Sequence, residues 1–185
     1  MSTMTTVAVV APTRPVRVLL VEDDPDDRLL AVEALRDVES TDYEITWVDT
    51  ASRAVDALRC ADFDVALLDF HLGSETGLDV LRAFEPGHLA TPCVVLTGER
   101  DREIDLAVMA AGAVDYFVKH DLTAPAIERT IRYAIERASH LRGLAASEAR
   151  FRTVVETATD AILLTTDVGS LLSWNAAAIE LFGLD

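Results

Sequence analysis

Lysine is the residue that this sequence most clearly lacks. Lys119 is the single lysine among 185 residues, and 16 basic side chains face 32 acidic ones, for a net charge of −16. Binding to a phosphate backbone needs concentrated Lys and Arg, so we do not expect nucleic acid to be a direct partner. An acidic, lysine-poor composition is typical of a halophile or of a GC-rich bacterium. The lone lysine is a candidate for a specific role.

Cysteine and long apolar runs are also scarce. Cys60 and Cys93 lack CxxC spacing, and Cys93 lies in the apolar run CVVLTG, which indicates a reduced protein. No stretch approaches the roughly 20 apolar residues that span a bilayer, and MSTMTTVAVVAPTRP lacks the basic start of a signal peptide. We therefore expect a cytoplasmic protein without a membrane partner. Residues 1–13 are predicted to be a flexible tail, with an edge strand or a partner contact as the alternative.

Short apolar runs alternate with amphipathic stretches from Val16 onward. This pattern, repeated five times, is typical of an α/β fold with a parallel sheet. The predicted strands span 16–21, 44–48, 65–69, 93–97 and 116–118. The predicted helices span 26–38, 51–59, 77–84, 102–111 and a stretch from 124 onward.

Polar side chains follow four of the predicted strands. Glu22 and Asp23 follow the first strand, Asp69 ends the third, Thr97 ends the fourth and Lys119 follows the fifth. In open parallel sheets, sites form at the carboxyl ends of the strands. Three converging carboxylates repel one another unless a cation lies among them, and oxygen ligands suit Mg²⁺. The sequence therefore predicts a magnesium site at this edge.

The acidic stretch LLVEDDPDD also contains residues with a simpler explanation. Asp24 precedes Pro25, and Asp at the N-cap with Pro at the first helical position is an ordinary helix start. Asp26 and Asp27 fall in the first turn, where negative charge complements the helix dipole. Asp26 and Asp27 therefore need no ligand role, and for Asp24 the helix cap is the favoured explanation.

Four segments together resemble the receiver domain of two-component response regulators: VLLVEDDPDDR, VALLDFHLGSETGLDVL, CVVLTG and AGAVDYFVK. The spacings agree, with 28 residues from Asp69 to Thr97 and 22 from Thr97 to Lys119. The resemblance covers residues 14–137. It implies a flavodoxin-like fold, a doubly wound sheet of five parallel strands.

The resemblance also implies a role for each strand-end residue. Asp69 would accept a phosphoryl group from a phosphohistidine on a histidine kinase or phosphotransfer protein. Mg²⁺ would be held by Glu22, Asp23, Asp69 and the backbone carbonyl of His71, with Glu22 acting directly or through water. Phosphoryl transfer is mostly positioning and charge neutralisation, which the metal and Lys119 can supply.

Two further residues are implied as the switch. Thr97 would donate its hydroxyl to the phosphoryl group, Tyr116 would move between exposed and buried positions, and Gly98 would keep the approach open. From the residues alone, Thr97 could cap the following helix, Tyr116 could be a half-buried strand residue and Lys119 a solvated loop lysine.

The acceptor loop departs from the family pattern at one position. The family usually has proline four residues after the acceptor, where this sequence has Gly73, and glycine adds loop entropy. The loop conformation and the lifetime of the phosphorylated state are therefore open. The His71 side chain is expected either to affect hydrolysis of the phosphoryl group or to be solvated.

The helix after Lys119 shows no breaker except Gly143. Six apolar residues recur at spacings of 4, 3, 4, 3 and 4, the pattern of a coiled-coil seam: Ile127, Ile131, Ala134, Ala138, Leu141 and Ala145. Residues 138–150 are predicted to be a signalling helix that joins two protomers in a homodimer. The alternative is an amphipathic helix packed on its own domain. His140 resembles a kinase phosphohistidine box only faintly, because Leu141 replaces the acid expected next.

Residues 151–185 resemble the beginning of a PAS sensor domain. The segment predicts a strand at 161–165, a turn at 167–169, a second strand ending at Trp174 and a helix capped by Asn175. Because some 35 residues cannot close such a sheet or a pocket, we expect a truncated PAS segment from a longer regulator, partly helical, dimer-stabilised or disordered.

The predicted function is a phosphorylation-dependent signalling module that relays its state through the helix to a PAS or output region. It is not expected to be a turnover enzyme, apart from its own phosphotransfer and autodephosphorylation. One alternative is a receiver-like interaction scaffold that is never phosphorylated. The other is a Mg²⁺-dependent phosphohydrolase, which would normally need a second acid where this sequence has His71.

Overall fold

A parallel sheet forms the centre of the first of two units, Met1–Ala138. The computed structural model describes residues 14–84, 89–98 and 102–183, so the predicted tail at 1–13 lies outside the described residues. The strands of this unit are β1 Val16–Val21, β2 Tyr43–Val48, β3 Val65–Asp69, β4 His71–Leu72, β5 Glu75–Thr76, β6 Cys93–Thr97 and β7 Asp115–Val118. Five of them pair in parallel in the order β2-β1-β3-β6-β7.

Helices cover both faces of this sheet. They are α1 Pro25–Arg36, α2 Ala51–Cys60, α3 Gly77–Arg82, α4 Arg102–Ala110 and α5 Ala124–Thr157. Successive strand side chains point to opposite faces, so each strand contributes to two cores. Leu19 and Leu68 pack with α2, α3 and α4, whereas Leu20 and Leu67 pack with α1 and the start of α5. The predicted doubly wound, flavodoxin-like α/β fold is confirmed.

The observed strands agree closely with the predicted ones. Three have the predicted bounds, and β2 and β7 each begin one residue earlier. The Asp24 side chain caps α1 by accepting hydrogen bonds from the amides of Asp26 and Asp27, as predicted. The β4–β5 hairpin was not predicted, because two-residue strands leave no periodicity to detect.

The start of α5 corrects the predicted coiled-coil seam. Ile127, Ile131 and Ala134 are buried in the second core of their own unit. These seam positions are wrong, because a side chain inside its own domain cannot also pair with a second protomer. The alternative, an amphipathic helix packed on its own domain, describes this part of α5.

The second unit, Ser139–Asp185, contains the end of α5 and a small hairpin. Its elements are β8 Leu163–Thr165, β9 Leu171–Trp174 and α6 Ala176–Phe182. Asn175 is fully buried and caps α6, as predicted. Its amide nitrogen donates to the carbonyls of Val155 and Asp160, and its oxygen accepts from the amide of Ile162, so one side chain joins α5, the loop and the hairpin.

The described helices include none with the length and apolarity needed to cross a bilayer.

Gly77 lets α3 begin directly against the end of β3. A Cβ atom at this position would lie 2.5 Å from the backbone oxygen of Asp69. The Gly77 amide donates to the Phe70 carbonyl at 3.0 Å, so the two segments are joined as well as close. A side chain here would push on the backbone that carries Asp69.

We expect Gly77→Ala to lower the free energy of unfolding by about 1–3 kcal/mol, the usual cost of forcing an extra methyl into a packed site. Urea denaturation measures this change. Gly98→Ala is the matched control, because a Cβ at Gly98 meets nothing within 4 Å. Equal stability of the Gly77→Ala and wild-type proteins would contradict the close approach.

Candidate functional site

The strand-end polar residues lie at one edge of the sheet, as predicted. Glu22 and Asp23 follow β1, Asp69 ends β3, Thr97 ends β6 and Lys119 follows β7. β3 lies between β1 and β6, and β7 pairs with β6, so the carboxyl ends of four neighbouring strands meet there.

Three acids of this edge form a group that could hold a metal ion. Glu22, Asp23 and Asp69 each offer one carboxylate oxygen, and these oxygens all lie within 4.8 Å of one another. Glu22 and Asp69 are buried, whereas Asp23 is exposed. Burying two carboxylates side by side is unfavourable unless positive charge compensates them.

Lys119 supplies positive charge to this group. Its ammonium nitrogen lies 2.7 Å from Glu22 Oε2, 2.8 Å from Asp69 Oδ1 and 2.6 Å from Asp27 Oδ2. An ammonium has three N–H donors, and three carboxylates surround this one. The lone lysine is therefore not the solvated loop residue that the sequence also allowed.

The pKa values of these groups follow from burial and from the shared ammonium. Burial raises the pKa of Glu22 to about 7, with the charge of Asp69 adding to it and the Lys119 hydrogen bond opposing it. Burial also raises the pKa of Asp69, again against the effect of Lys119. For Lys119, burial acts to lower the pKa, but the bonds to Asp27, Asp69 and Glu22 outweigh it and raise the pKa.

The turn after β1 is fixed by contacts to Glu22. The Trp47 indole donates to the Glu22 carbonyl at 2.9 Å, and the Asp24 amide donates to Glu22 Oε1 at 3.2 Å. The Arg28 guanidinium lies 4.3 Å from the centre of the Trp47 ring, within cation–π range. These contacts hold both the backbone and the carboxylate of Glu22.

The loop after Asp69 is an ordered hairpin in which Gly73 has a clear steric role. Gly73 has a φ of 63°, in the left-handed region that favours glycine. Proline, with φ near −65°, could not adopt this conformation, so the proline usual in the family does not fit this loop. His71 is exposed on β4, and its ring meets that of Phe70 edge to face at 4.9 Å between centroids.

Thr97 and Tyr116 lie on neighbouring strands. Thr97 is buried at the end of β6, paired with Val118, and Tyr116 is half-buried opposite Val95. Tyr116 packs against the core that contains α2, α3 and α4. Their switch roles remain predictions, as does the role of the His71 carbonyl.

Two residues of this site were missed by the sequence interpretation. Asp27 was explained fully by the helix dipole, and no spacing pattern links it to Lys119, 92 positions later. The contact of Trp47 with Glu22 depends on the pairing of β1 with β2, which residue order alone does not show.

The donor set fits a divalent cation of the magnesium type. All three groups are carboxylates, the exposed one leaves room for water, and the edge carries more acid than Lys119 neutralises. Hard oxygen ligands with retained water are what Mg²⁺ prefers. The residues that would hold it are Glu22, Asp23 and Asp69.

The chain is similar in sequence to two curated bacterial regulators. The cell cycle transcriptional regulator CtrA of Caulobacter vibrioides is 32% identical over 103 residues, which cover 56% of this chain and 43% of that protein. The cell cycle response regulator CtrA of Brucella abortus is 30% identical over the same length. The match thus spans less than half of these relatives.

Solved structures show the same fold. A signal receiver domain from Vibrio parahaemolyticus matches with a TM-score of 0.61 and 25% identity, over 71% of this chain and 98% of that one. The receiver domain of the sensor histidine kinase PA1611 from Pseudomonas aeruginosa, solved with a magnesium ion coordinated in its active site cleft, matches with a TM-score of 0.57 and 25% identity. That match covers 66% of this chain and 99% of that one.

Family models account for both units of the chain. The model of the PAS domain matches residues 149–185. The model of the response regulator receiver domain matches residues 18–132, which is more than half of the sequence. This chain, with its five-stranded parallel sheet and its acidic edge, therefore belongs to the response regulator receiver domain family and carries a PAS segment after it.

Proposed function

We propose that Asp69 accepts a phosphoryl group from a phosphohistidine on a histidine kinase or phosphotransfer protein. The chain is a response regulator receiver domain of two-component systems. The observation that carries the proposal is the Asp69 carboxylate, buried beside two other acids and bound to Lys119 at 2.8 Å. A buried carboxylate at a strand end is costly, and phosphoryl acceptance gives it a use.

The reaction needs a nucleophile and neutralisation of the phosphoryl charge. An oxygen of Asp69 would form the new P–O bond, and the P–N bond to the donor imidazole would break, with the electron pair leaving on nitrogen. Lys119 would bind a phosphoryl oxygen, and Thr97 would donate its hydroxyl to another. When bound to Glu22, Asp23 and Asp69, Mg²⁺ would supply further positive charge at the equatorial oxygens.

The geometry supports a stoichiometric switch over a turnover phosphohydrolase. A phosphohydrolase of this type would need a second acid two residues after Asp69, and that position is the exposed His71. A scaffold that is never phosphorylated would need neither the buried acids nor the lysine that compensates their charge.

We further propose that α5 relays the phosphorylated state to the PAS segment through a dimer. Beyond Ala138, several large apolar side chains of α5 are exposed: Leu141, Leu144, Phe151 and Val154. Leu141, Leu144, Phe151 and Val155 lie at heptad spacings, with Glu148 at the position between Leu144 and Phe151. This stripe shares Leu141 with the predicted seam. A second protomer would remove this apolar surface from water.

Incubation with acetyl phosphate and Mg²⁺ tests the acceptor. We expect intact-mass analysis to show one added phosphoryl group on the wild-type protein and none on Asp69→Asn, because the amide is not a nucleophile. Asp56→Asn, at an exposed position of α2, is the control and should keep the label. Folded wild-type protein that gains no phosphoryl group would contradict the proposal.

Magnesium binding should depend on pH through Glu22. Because the Glu22 pKa is raised to about 7, the carboxylate that the ion needs is lost below that pH. Calorimetric titration with MgCl₂ should show affinity rising between pH 6 and 8, by up to about tenfold per unit on the acid side. Glu22→Gln should bind more weakly, with a flat profile. A wild-type profile as flat as that of Glu22→Gln would contradict the assignment.

The same shift predicts the stability of the metal-free protein. A group with a raised folded-state pKa contributes stability below its unfolded pKa and loses it as pH rises through the folded value. The contribution of Glu22 to the free energy of unfolding is therefore present near pH 4.5 and lost as the pH rises through about 7. In urea denaturation, the stability of the wild-type protein should fall more steeply over that range than the stability of Glu22→Gln.

Sedimentation velocity tests the proposed dimer. We expect wild-type protein to sediment as a dimer and Leu144→Glu to sediment as a monomer, because a buried charge in the seam is unfavourable. Ser147→Glu, exposed on the same helix, should behave as wild type. Monomeric wild-type protein, with and without phosphorylation, would contradict the dimer.

A further inference from the structure

The carboxylate of Asp27 makes the shortest of the three contacts to Lys119. Its Oδ2 atom lies 2.6 Å from the ammonium nitrogen, against 2.7 Å for Glu22 and 2.8 Å for Asp69. The Asp27 side chain is 40% exposed, whereas those of Glu22 and Asp69 are 1% and 6% exposed. Asp27 thus binds the lysine from the solvent side of the buried acid pair.

Asp27 reaches Lys119 from a helix and not from a strand end. The Asp24 cap accepts a hydrogen bond from the Asp27 amide at 3.1 Å, which fixes the first turn of α1 beside the sheet edge. Asp26 has the same cap contact, at 2.8 Å, and is also exposed. The helix dipole explains both acids equally, yet the carboxylates bound to Lys119 include Asp27 and not Asp26.

Asp27 also differs from the other two partners of Lys119 because it does not belong to the group of acids that could hold a cation. Glu22 and Asp69 belong, with Asp23, to the group that could hold a cation. Asp27 stands outside that group within the described part of the chain. When a cation occupies the group and Asp69 is esterified, Asp27 is the carboxylate whose charge is still available to the ammonium.

We propose that Asp27 is a positioning residue for phosphoryl acceptance, which holds the Lys119 ammonium against Asp69 before and after the transfer. This inference rests on the proposed function. Before the transfer, the contacts to Glu22 and Asp27 leave the third N–H donor of the ammonium facing Asp69, where the phosphoryl oxygen would arrive. Preorganised donors of this kind avoid reorganisation during the reaction.

The kinetic test compares Asp27→Asn with Asp26→Asn. Both variants remove one negative charge from the first turn of α1, and only the first removes an ionic partner of Lys119. With acetyl phosphate and saturating Mg²⁺, we expect Asp27→Asn to lower the maximal phosphorylation rate about tenfold, the scale of losing a residue that orients a reacting group. Asp26→Asn should keep the wild-type rate. Both variants should weaken Mg²⁺ binding to the same small extent.

A spectroscopic measurement on Lys119 separates positioning from general damage. Because Lys119 is the single lysine, protein labelled with ¹⁵N-lysine gives one side-chain ammonium signal. We expect that signal to be protected from solvent exchange in the wild-type protein and in Asp26→Asn, and to lose this protection in Asp27→Asn.

Two results would overturn the inference. One is an equal phosphorylation rate in Asp27→Asn and Asp26→Asn. The other is a faster rate in Asp27→Asn, which would make Asp27 a competitor for the lysine. These failures differ from failure of the proposed function, in which wild-type protein itself takes no label.

Discussion

The carboxylates at the sheet edge remain together because one ammonium lies among them. The pairing of β1 with β3 brings Glu22 and Asp69 together, and burial of both would be unfavourable without the contacts to Lys119. The sheet thus creates the repulsion, and the residue after β7 relieves part of it. Because one positive charge cannot balance four carboxylates, the edge retains negative charge that a divalent cation can neutralise.

This surplus of negative charge arises from the fold and bears on the chemistry proposed for the edge. The raised pKa of Glu22 and the raised pKa of Asp69 share one cause, the burial of each carboxylate away from water. In the proposed function, the surplus of acid at this edge would attract a cation, and the cation and Lys119 would share the charge of the phosphoryl group. Residues that would contact neither the cation nor the phosphoryl group also shape this edge. Trp47 holds the Glu22 backbone, and Gly77 lets α3 lie beside Asp69.

The sheet and the strand-end residues were predictable because both depend on local patterns. Five apolar runs predict five parallel strands, and the carboxyl ends of parallel strands share one edge, which placed Asp69 and Lys119 together. The Asp27 contact was not predictable, because the helix dipole already explained an acid there. The first half of the coiled-coil seam failed for a related reason: Ile127 and Ile131 have the spacing of a seam, but the same spacing also buries a helix in its own core.

Anomalous diffraction from crystals grown with Mn²⁺ tests the central claim most directly, because Mn²⁺ occupies the same oxygen-ligand sites as Mg²⁺ and its position can be seen. The account predicts a manganese peak bonded to the carboxylates of Asp23 and Asp69, with Glu22 bound directly or through water. The account would be contradicted if, at saturating Mn²⁺, the folded protein kept its carboxylates bound to Lys119 and showed no metal peak among them.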